Sequence, residues 1–151
     1  MTNQAAPDSA APAPKLASPR KLFVNIPVAD LQRAIGFFTK LGFTFNPQFT
    51  DESATCMLVG DDAYFMLLAR PRFEGFSRRP VGNPLAETTA MFAVSAATRD
   101  EVESLFATAV SAGATEVSEP QDHGFMYLRS FYDLDGHHWE VFWMDADYGR
   151  E

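Results

Sequence analysis

The chain has 151 residues, of which 46% are hydrophobic and 14 are Phe, so it can build a core and wholesale disorder is excluded. Its formal net charge of −8 argues against nucleic acid as a partner, and no apolar run reaches the roughly 20 residues of a membrane helix. A single cysteine, Cys56, excludes an internal disulfide and favours a reducing cytoplasm. Its apolar setting predicts either a small buried hydrophobe or a reactive thiol.

The first half of the chain predicts a leader and then one strand–helix–strand unit. Residues 1–20 are rich in Ala, Pro and Ser, which predicts a disordered leader without the apolar centre of a signal peptide. Residues 22–28 form a strand, and Asp30 caps a helix with one apolar face that ends at Gly42. Three strand-like runs follow, "FTFNPQFT", "ATCMLVG" and "AYFMLLA", with acidic turns at Asp51-Glu52 and Asp61-Asp62 between them.

Residues 71–87 break every period with Gly and Pro and predict a loop. Several Arg residues lie in or directly before it, namely Arg70, Arg72, Arg78 and Arg79. This loop is either a solvated linker or a mobile basic lid that attracts an anionic ligand.

The second half repeats the first. A strand, "TAMFAVSA", precedes a helix with a Thr98/Glu101 capping box and a stop at Gly113, and "ATEVSE", "GFMYLRSFY" and "HHWEVFWM" follow as strands. The repeat predicts an α+β fold in which two β-α-β-β-β modules, at about 21–70 and 88–147, form a curved mixed sheet around a cleft with the helices outside. Residues 21–147 are therefore predicted to be a single domain.

Two stretches carry a resemblance to a known family. "VNIPVADLQRAIGFFTKLGF" and "SFYDLDGHHWEVFW" resemble the vicinal oxygen chelate superfamily of glyoxalase I, bleomycin-resistance proteins and extradiol dioxygenases. The second stretch is similar to the family's F-x-D-P-D-G-x-x-x-E signature, with Leu134 where Pro is usual. The resemblance covers about residues 22–144 and is nearest to glyoxalase-related proteins of unassigned reaction. Such motifs specify the fold much more strongly than the chemistry.

The resemblance also implies where a metal would bind. In metal-dependent members four strand residues, usually His or Glu, converge on one divalent ion. Glu140 falls on the last position, whereas Phe23, Met91 and the strand at 64–68 supply no ligand atoms that a hard or borderline cation would accept strongly at the others. We therefore predict no cofactor, and we predict a tight turn rather than a calcium loop for "DLDG". A rebuilt site of His123, His138 and Glu140 stays open as the alternative.

The candidate site is centred on Glu140, the one candidate catalytic residue. Strand alternation places His138 on its face, and Phe23 and Asn25 join them if that face lines the cleft. Glu140 is then either a base whose pKa burial raises towards neutrality, or an ionised carboxylate that pairs with Arg129 or His138. The candidate ligand-binding residues are Asn25, Phe23, Met91, Tyr127, Arg129, His138 and Phe142, of which Tyr127 and Arg129 qualify only if their side of the strand is the cleft side.

Three functions remain open at this point. The favoured one is a metal-independent binder of a small apolar or aromatic molecule in the cleft. The alternatives are a metal-dependent lyase or dioxygenase of the glyoxalase I type, and an interaction protein with a vestigial cleft. The expected partners are a small-molecule ligand and a second copy in a homodimer, with neither nucleic acid nor membrane.

Overall fold

The structure, a computed structural model, describes residues 12–13, 18 and 20–149. The leader predicted at 1–20 lies almost entirely outside the described residues. The first module comprises β1 Leu22–Val28, α1 Leu31–Lys40, β2 Thr44–Asn46, β3 Ala54–Gly60 and β4 Ala63–Ala69. A short helix, α2 Arg70–Phe76, follows it. The second module comprises β5 Met91–Ser95, α3 Arg99–Ser111, β6 Thr115–Glu116, β7 Gln121–Asp122, β8 Met126–Tyr132 and β9 His138–Met144. Within these residues, no helix is long and apolar enough to span a membrane.

Each module contributes one mixed sheet, and the two sheets have related topology. The first has four strands in the order β1-β4-β3-β2, and the second has β5-β9-β8-β6 with β7 paired to β8. The first strand of each module runs parallel to the last, and the other pairs are antiparallel. The predicted α+β fold of two repeated modules is therefore confirmed.

The two long helices begin and end where their sequences predict. The Asp30 carboxylate accepts a hydrogen bond from the Arg33 N–H at 3.0 Å, and Thr98 Oγ1 accepts one from Glu101 N–H at 3.0 Å. The Glu101 carboxylate turns back to the Ala97 N–H at 2.7 Å, so the capping box closes one residue earlier than the usual pattern. These caps satisfy backbone donors that the first helical turn leaves free.

One core joins the modules. Ile26 and Val28 of β1 and Val141 of β9 are buried in the same cluster as the inner sides of α1 and α3. The Trp139 ring lies at the centre, 5.3 Å from the Phe38 ring and 4.8 Å from the Phe65 ring between centroids. The side of each sheet that packs on α1 and α3 is called the helix face below, and the opposite side is called the cleft face.

Residues 71–87 are not entirely a loop, because residues 70–76 form α2. Pro71 stands in its first turn, where the missing N–H costs no hydrogen bond. The helix lies over the cleft face of the first sheet, since Phe73 lines the same cavity as Asn25. The sequence predicted no helix here, whereas the helices of the two modules, α1 and α3, lie on the opposite side as expected.

Candidate functional site

A cavity of about 380 Å³ lies where the two modules meet. Residues 24–27 of β1, Phe73 of α2 and residues 136–138 at the start of β9 form its floor and sides. The segment 77–90, called the strap below, borders it on the outer side, with residues 77, 80–84 and 87–90 in the lining. The volume falls in the range that suits a small organic ligand.

The lining is mostly apolar. Val24, Phe73, Val81 and Phe92 supply aliphatic and aromatic surface. Asn25 lies on the cleft face of β1, as predicted, but it is exposed, and its amide makes no side-chain hydrogen bond to another described residue. An apolar wall with a free amide favours a ligand that is largely hydrophobic and carries a polar atom.

Gly136, in the turn before β9, is where the strap contacts the second module. Its φ is +90°, a conformation that side chains other than glycine rarely adopt. A Cβ at this position would lie 2.5 Å from the Pro84 carbonyl oxygen and 2.8 Å from Leu85 Cα. The glycine therefore serves both the turn and the close approach of the strap.

Asp133 organises this turn from within. Its Oδ1 accepts N–H hydrogen bonds from Asp135 at 2.9 Å and His137 at 3.0 Å, and its Oδ2 accepts one from Trp139 Nε1 at 2.8 Å. Burial raises the pKa of Asp133, and the charge of His137 and these donors oppose that rise. These contacts confirm the predicted tight turn.

Asp135 and His137 extend from the same turn to the first module. Asp135 Oδ1 accepts a hydrogen bond from the Ala29 N–H at 2.8 Å and a longer one from Arg33 at 3.4 Å. His137 Nε2 donates to the Pro27 carbonyl at 2.7 Å. Sequence reasoning missed this link between the modules. The available signal for it was the spacing of the two aspartates, Asp133 and Asp135, in the turn.

Glu140 and His138 share the cleft face of β9, as predicted. His138 Nε2 lies 3.4 Å from Glu140 Oε1, a long contact, and their side chains are 8% and 29% exposed. Residue 138 lines the cavity and Glu140 does not. The observed partner of Glu140 is therefore His138, and Glu140 stands beside the cavity rather than in it.

The apolar members of the candidate site lie outside the cavity. Phe23 stacks on Tyr64 with 4.7 Å between ring centroids, and Met91 is 62% exposed at the start of β5. Phe142 is half-buried farther along β9 and does not line the cavity. Of the predicted ligand-binding residues, the cavity brings together Asn25 and His138.

Tyr127 and Arg129 lie on the helix face, so their assignment to the cleft is wrong. Arg129 is opposite Val141 in the β8–β9 ladder, and directly opposed strand residues share a face. Its guanidinium binds Glu103 of α3 at 2.8 Å and Glu116 at 2.7 Å, and the Tyr127 hydroxyl donates to Glu103. The hydrogen bond from Tyr127, followed by that from Arg129, lowers the pKa of Glu103. Arg129 therefore ties α3 to the sheet and does not pair with Glu140.

A divalent metal does not fit these residues. Among the residues that the structure describes, no group of three or more His, Cys, Asp or Glu side chains is placed to hold an ion. His123 adjoins Met126, whose β9 partner Met144 is six residues from His138, or roughly 20 Å along a strand. The alternative site of His123, His138 and Glu140 is therefore wrong.

The remaining sequence alternatives concern a thiol and the arginines. Cys56 is buried, and burial raises the pKa of its thiol, which favours the small buried hydrophobe over the reactive thiol.

Arg70 and Arg72 of α2 make contacts within the protein. Arg70 binds strap carbonyls, and Arg72 binds Asp51 at 2.9 Å. Arg78 and Arg79 are exposed in the strap and make no side-chain hydrogen bond to another described residue, so the basic-lid interpretation stays a prediction that rests on these two.

Comparisons with known proteins agree with this architecture. Residues 22–141 match the family described as the Glyoxalase/Bleomycin resistance protein/Dioxygenase superfamily. A search of curated proteins gave no match.

Several solved structures are similar in fold. Hypothetical protein SA1046 from S. aureus is 27% identical with a TM-score of 0.70, over 85% of this chain and 95% of that one. A family enzyme from Burkholderia phytofirmans PsJN is 17% identical with a TM-score of 0.68, over 81% and 96%. TioX from Micromonospora sp. ML1 is 21% identical with a TM-score of 0.62, over 83% and 99%. At these identities the last two likenesses show the fold alone.

Proposed function

The chain belongs to the glyoxalase/bleomycin resistance protein/dioxygenase superfamily, and from that premise we propose that it binds a small apolar or aromatic molecule, without a metal ion, in the cavity beneath the strap. The observation that carries the proposal is the apolar lining with the free amide of Asn25. Apolar burial supplies affinity, and the polar groups of the lining, Asn25 among them, orient the ligand.

The absence of a fitting donor set among the described residues supports the metal-independent form of the proposal over the lyase or dioxygenase alternative. Glu140 has His138 beside it, and the positions at Phe23 and Met91 offer no donor atom that a hard or borderline cation binds strongly. Zinc and similar ions need about four good ligands.

A cytoplasmic location and a homodimer are part of the same proposal. The single free cysteine supports a reducing compartment. The cleft face of the second sheet supports pairing, because Met91 and Met144 are 62% and 45% exposed there while α3 packs on the opposite side.

A titration with N-phenyl-1-naphthylamine, a neutral two-ring fluorescent probe, tests the proposal. Ala90 lines the cavity, so we expect Ala90→Trp to fill part of it and weaken probe binding by about tenfold or more. Ala93→Trp is the matched control, since Ala93 is exposed in β5, three residues after Ala90, and does not line the cavity.

Saturable binding to the wild type and to Ala93→Trp, with weaker binding to Ala90→Trp, is the predicted result. Equal binding by all three proteins would place the probe elsewhere. The absence of saturable binding to all three proteins would contradict the proposed small-molecule binder and favour an interaction protein instead.

A further inference from the structure

The strap has few polar links to the rest of the protein. In the described part of the chain, no backbone hydrogen bond joins residues 78–90 to either sheet. The backbone bonds that these residues do make are local, from Ala86 and Glu87 to the Asn83 carbonyl. A segment held this way opens at a lower free energy than the sheets beside it.

Arg70 is the side chain outside the strap that hydrogen-bonds to residues 78–90. Its Nη2 donates to the Val81 carbonyl at 3.0 Å, and its Nη1 donates to the Gly82 carbonyl at 3.2 Å. Glu74, one turn along α2, lies 3.7 Å from its Nε. The planar guanidinium thus meets two neighbouring carbonyls at once, a geometry that an ammonium group does not reproduce.

The two strap residues that Arg70 holds are themselves wall residues. Val81 and Gly82 line the cavity, as do Phe73 and Ser77 at the end of α2. The second contact of the strap, Pro84 and Leu85 on Gly136, is van der Waals packing without a hydrogen bond. Arg70 therefore sets where the wall stands relative to the helix that carries it.

We propose that Arg70 is a positioning residue that fastens the strap as the outer wall of the cavity, so that a ligand enters and leaves when this fastening opens. The inference rests on the proposed function for its ligand and names the element that controls access. Arg70 acts through the strap carbonyls and is not assigned a contact with the ligand.

The chain offers a matched control on the same helix. Arg72 lies two residues on, but its Nη1 binds Asp51 at 2.9 Å and Ser53 at 2.8 Å, away from the strap. Replacing it removes the same charge and a side chain of similar exposure. The strap stays fastened in that variant.

Limited proteolysis of the full chain measures how readily the strap detaches. Arg78 and Arg79 are exposed in the strap, and trypsin cuts after Arg78 at a rate that rises with the fraction of molecules whose strap has left the wall. Cleavage there is followed by mass spectrometry for wild type, Arg70→Ala, Arg70→Lys and Arg72→Ala, together with the dissociation rate of N-phenyl-1-naphthylamine and the melting temperature.

We expect Arg70→Ala to be cut about tenfold faster and to release the probe about tenfold faster, the scale of two partly exposed charge-assisted hydrogen bonds. Arg70→Lys falls between it and the wild type, and Arg72→Ala matches the wild type. Should Arg70→Ala fail to fold, Arg70→Lys carries the comparison.

Wild-type cleavage and release rates in both Arg70 variants would overturn the inference. Equal acceleration by Arg72→Ala would overturn it as well, because the effect would then belong to α2 as a whole. If the probe does not bind the wild type, the proposed function fails, and the cleavage rates without probe still decide whether Arg70 fastens the strap.

Discussion

Asn25 places an uncommitted amide in an otherwise apolar part of the cavity wall. Asn25→Leu keeps a similar volume and removes the hydrogen-bonding groups. We expect it to weaken the binding of 2-naphthol by about three- to tenfold, the factor for one net hydrogen bond, because the hydroxyl of the ligand loses its partner. Calorimetric titration measures the loss.

Naphthalene is the matched ligand, since it lacks the hydroxyl. Its affinity should change by less than about twofold in the same variant. An equal loss for both ligands would show that Asn25 acts by shape alone.

Gly136 gives the second prediction at this scale. Gly136→Ala combines a strained positive φ, worth about 1–2 kcal/mol, with backbone overlap at Pro84 and Leu85. We expect a loss of free energy of unfolding of at least that size and faster trypsin cleavage of the strap. Chemical denaturation measures the first effect.

Gly75→Ala is the control for Gly136→Ala. Gly75 lies in α2, and a Cβ there meets nothing within 4 Å. Alanine at such a helical position stabilises by about 0.5–1 kcal/mol. Similar destabilisation by both substitutions would argue against the close approach at Gly136.

Individual side chains were predictable from the sequence only as far as strand alternation reaches. Alternation predicted that Tyr127 and Arg129 share one face of their strand, and that His138 and Glu140 share one face of theirs. Both predictions are confirmed. Alternation does not say which side of β8 meets α3. The β8–β9 register and the carboxylate of Glu103 decide that, and neither can be read locally.

At the scale of elements, the tie between β7 and α3 has a defined pH dependence. Arg99, at the start of α3, binds both carboxylate oxygens of Asp122 at 2.8 and 2.9 Å. The hydrogen bond from Arg99, then that from the Gly124 N–H, lowers the pKa of Asp122 from 3.8 to about 2. A carboxyl whose pKa is lower in the folded state stabilises fully above its unfolded pKa and loses that contribution as the pH falls.

We therefore expect the stability that Asp122 provides to be present above about pH 4 and to fade towards pH 2. Asp122→Asn should lower the urea midpoint at pH 6 and leave a shallower fall between pH 4 and pH 2.5. Asp62→Asn is the control, because the Asp62 side chain makes no hydrogen bond or ion pair with the described residues. An unchanged acid slope in Asp122→Asn would contradict the assignment.

Elements with a strong period or cap were predictable, and those held by tertiary contacts were not. The caps at Asp30 and Thr98 and the repeated order of strands fixed the two modules. The helix α2 was missed because Pro71 and Gly75 break its seven-residue pattern, which packing of Phe73 over the sheet stabilises instead. The run "ATEVSE" predicted a longer strand than the observed Thr115–Glu116. The Val117 N–H still donates to the Ser130 carbonyl of β8 at 3.1 Å, and the run makes no backbone hydrogen bond to β8 beyond it among the described residues.

At the scale of the whole molecule, two exposed methionines on the cleft face of the second sheet bear on assembly. We expect a homodimer, because exposed Met91 and Met144 there are better buried against a second copy than hydrated. Sedimentation at tens of micromolar checks this, since standard interfaces commonly reach about micromolar affinity or tighter. A monomer at that concentration would contradict the expectation.

The central claim is that the cavity between the modules takes an apolar ligand without a metal ion. Calorimetric titration of the full chain with N-phenyl-1-naphthylamine, before and after treatment with a chelator, tests it most directly. The account predicts one saturable site per chain with the same affinity in both samples. Binding that disappears on chelation and returns with an added divalent ion would contradict it.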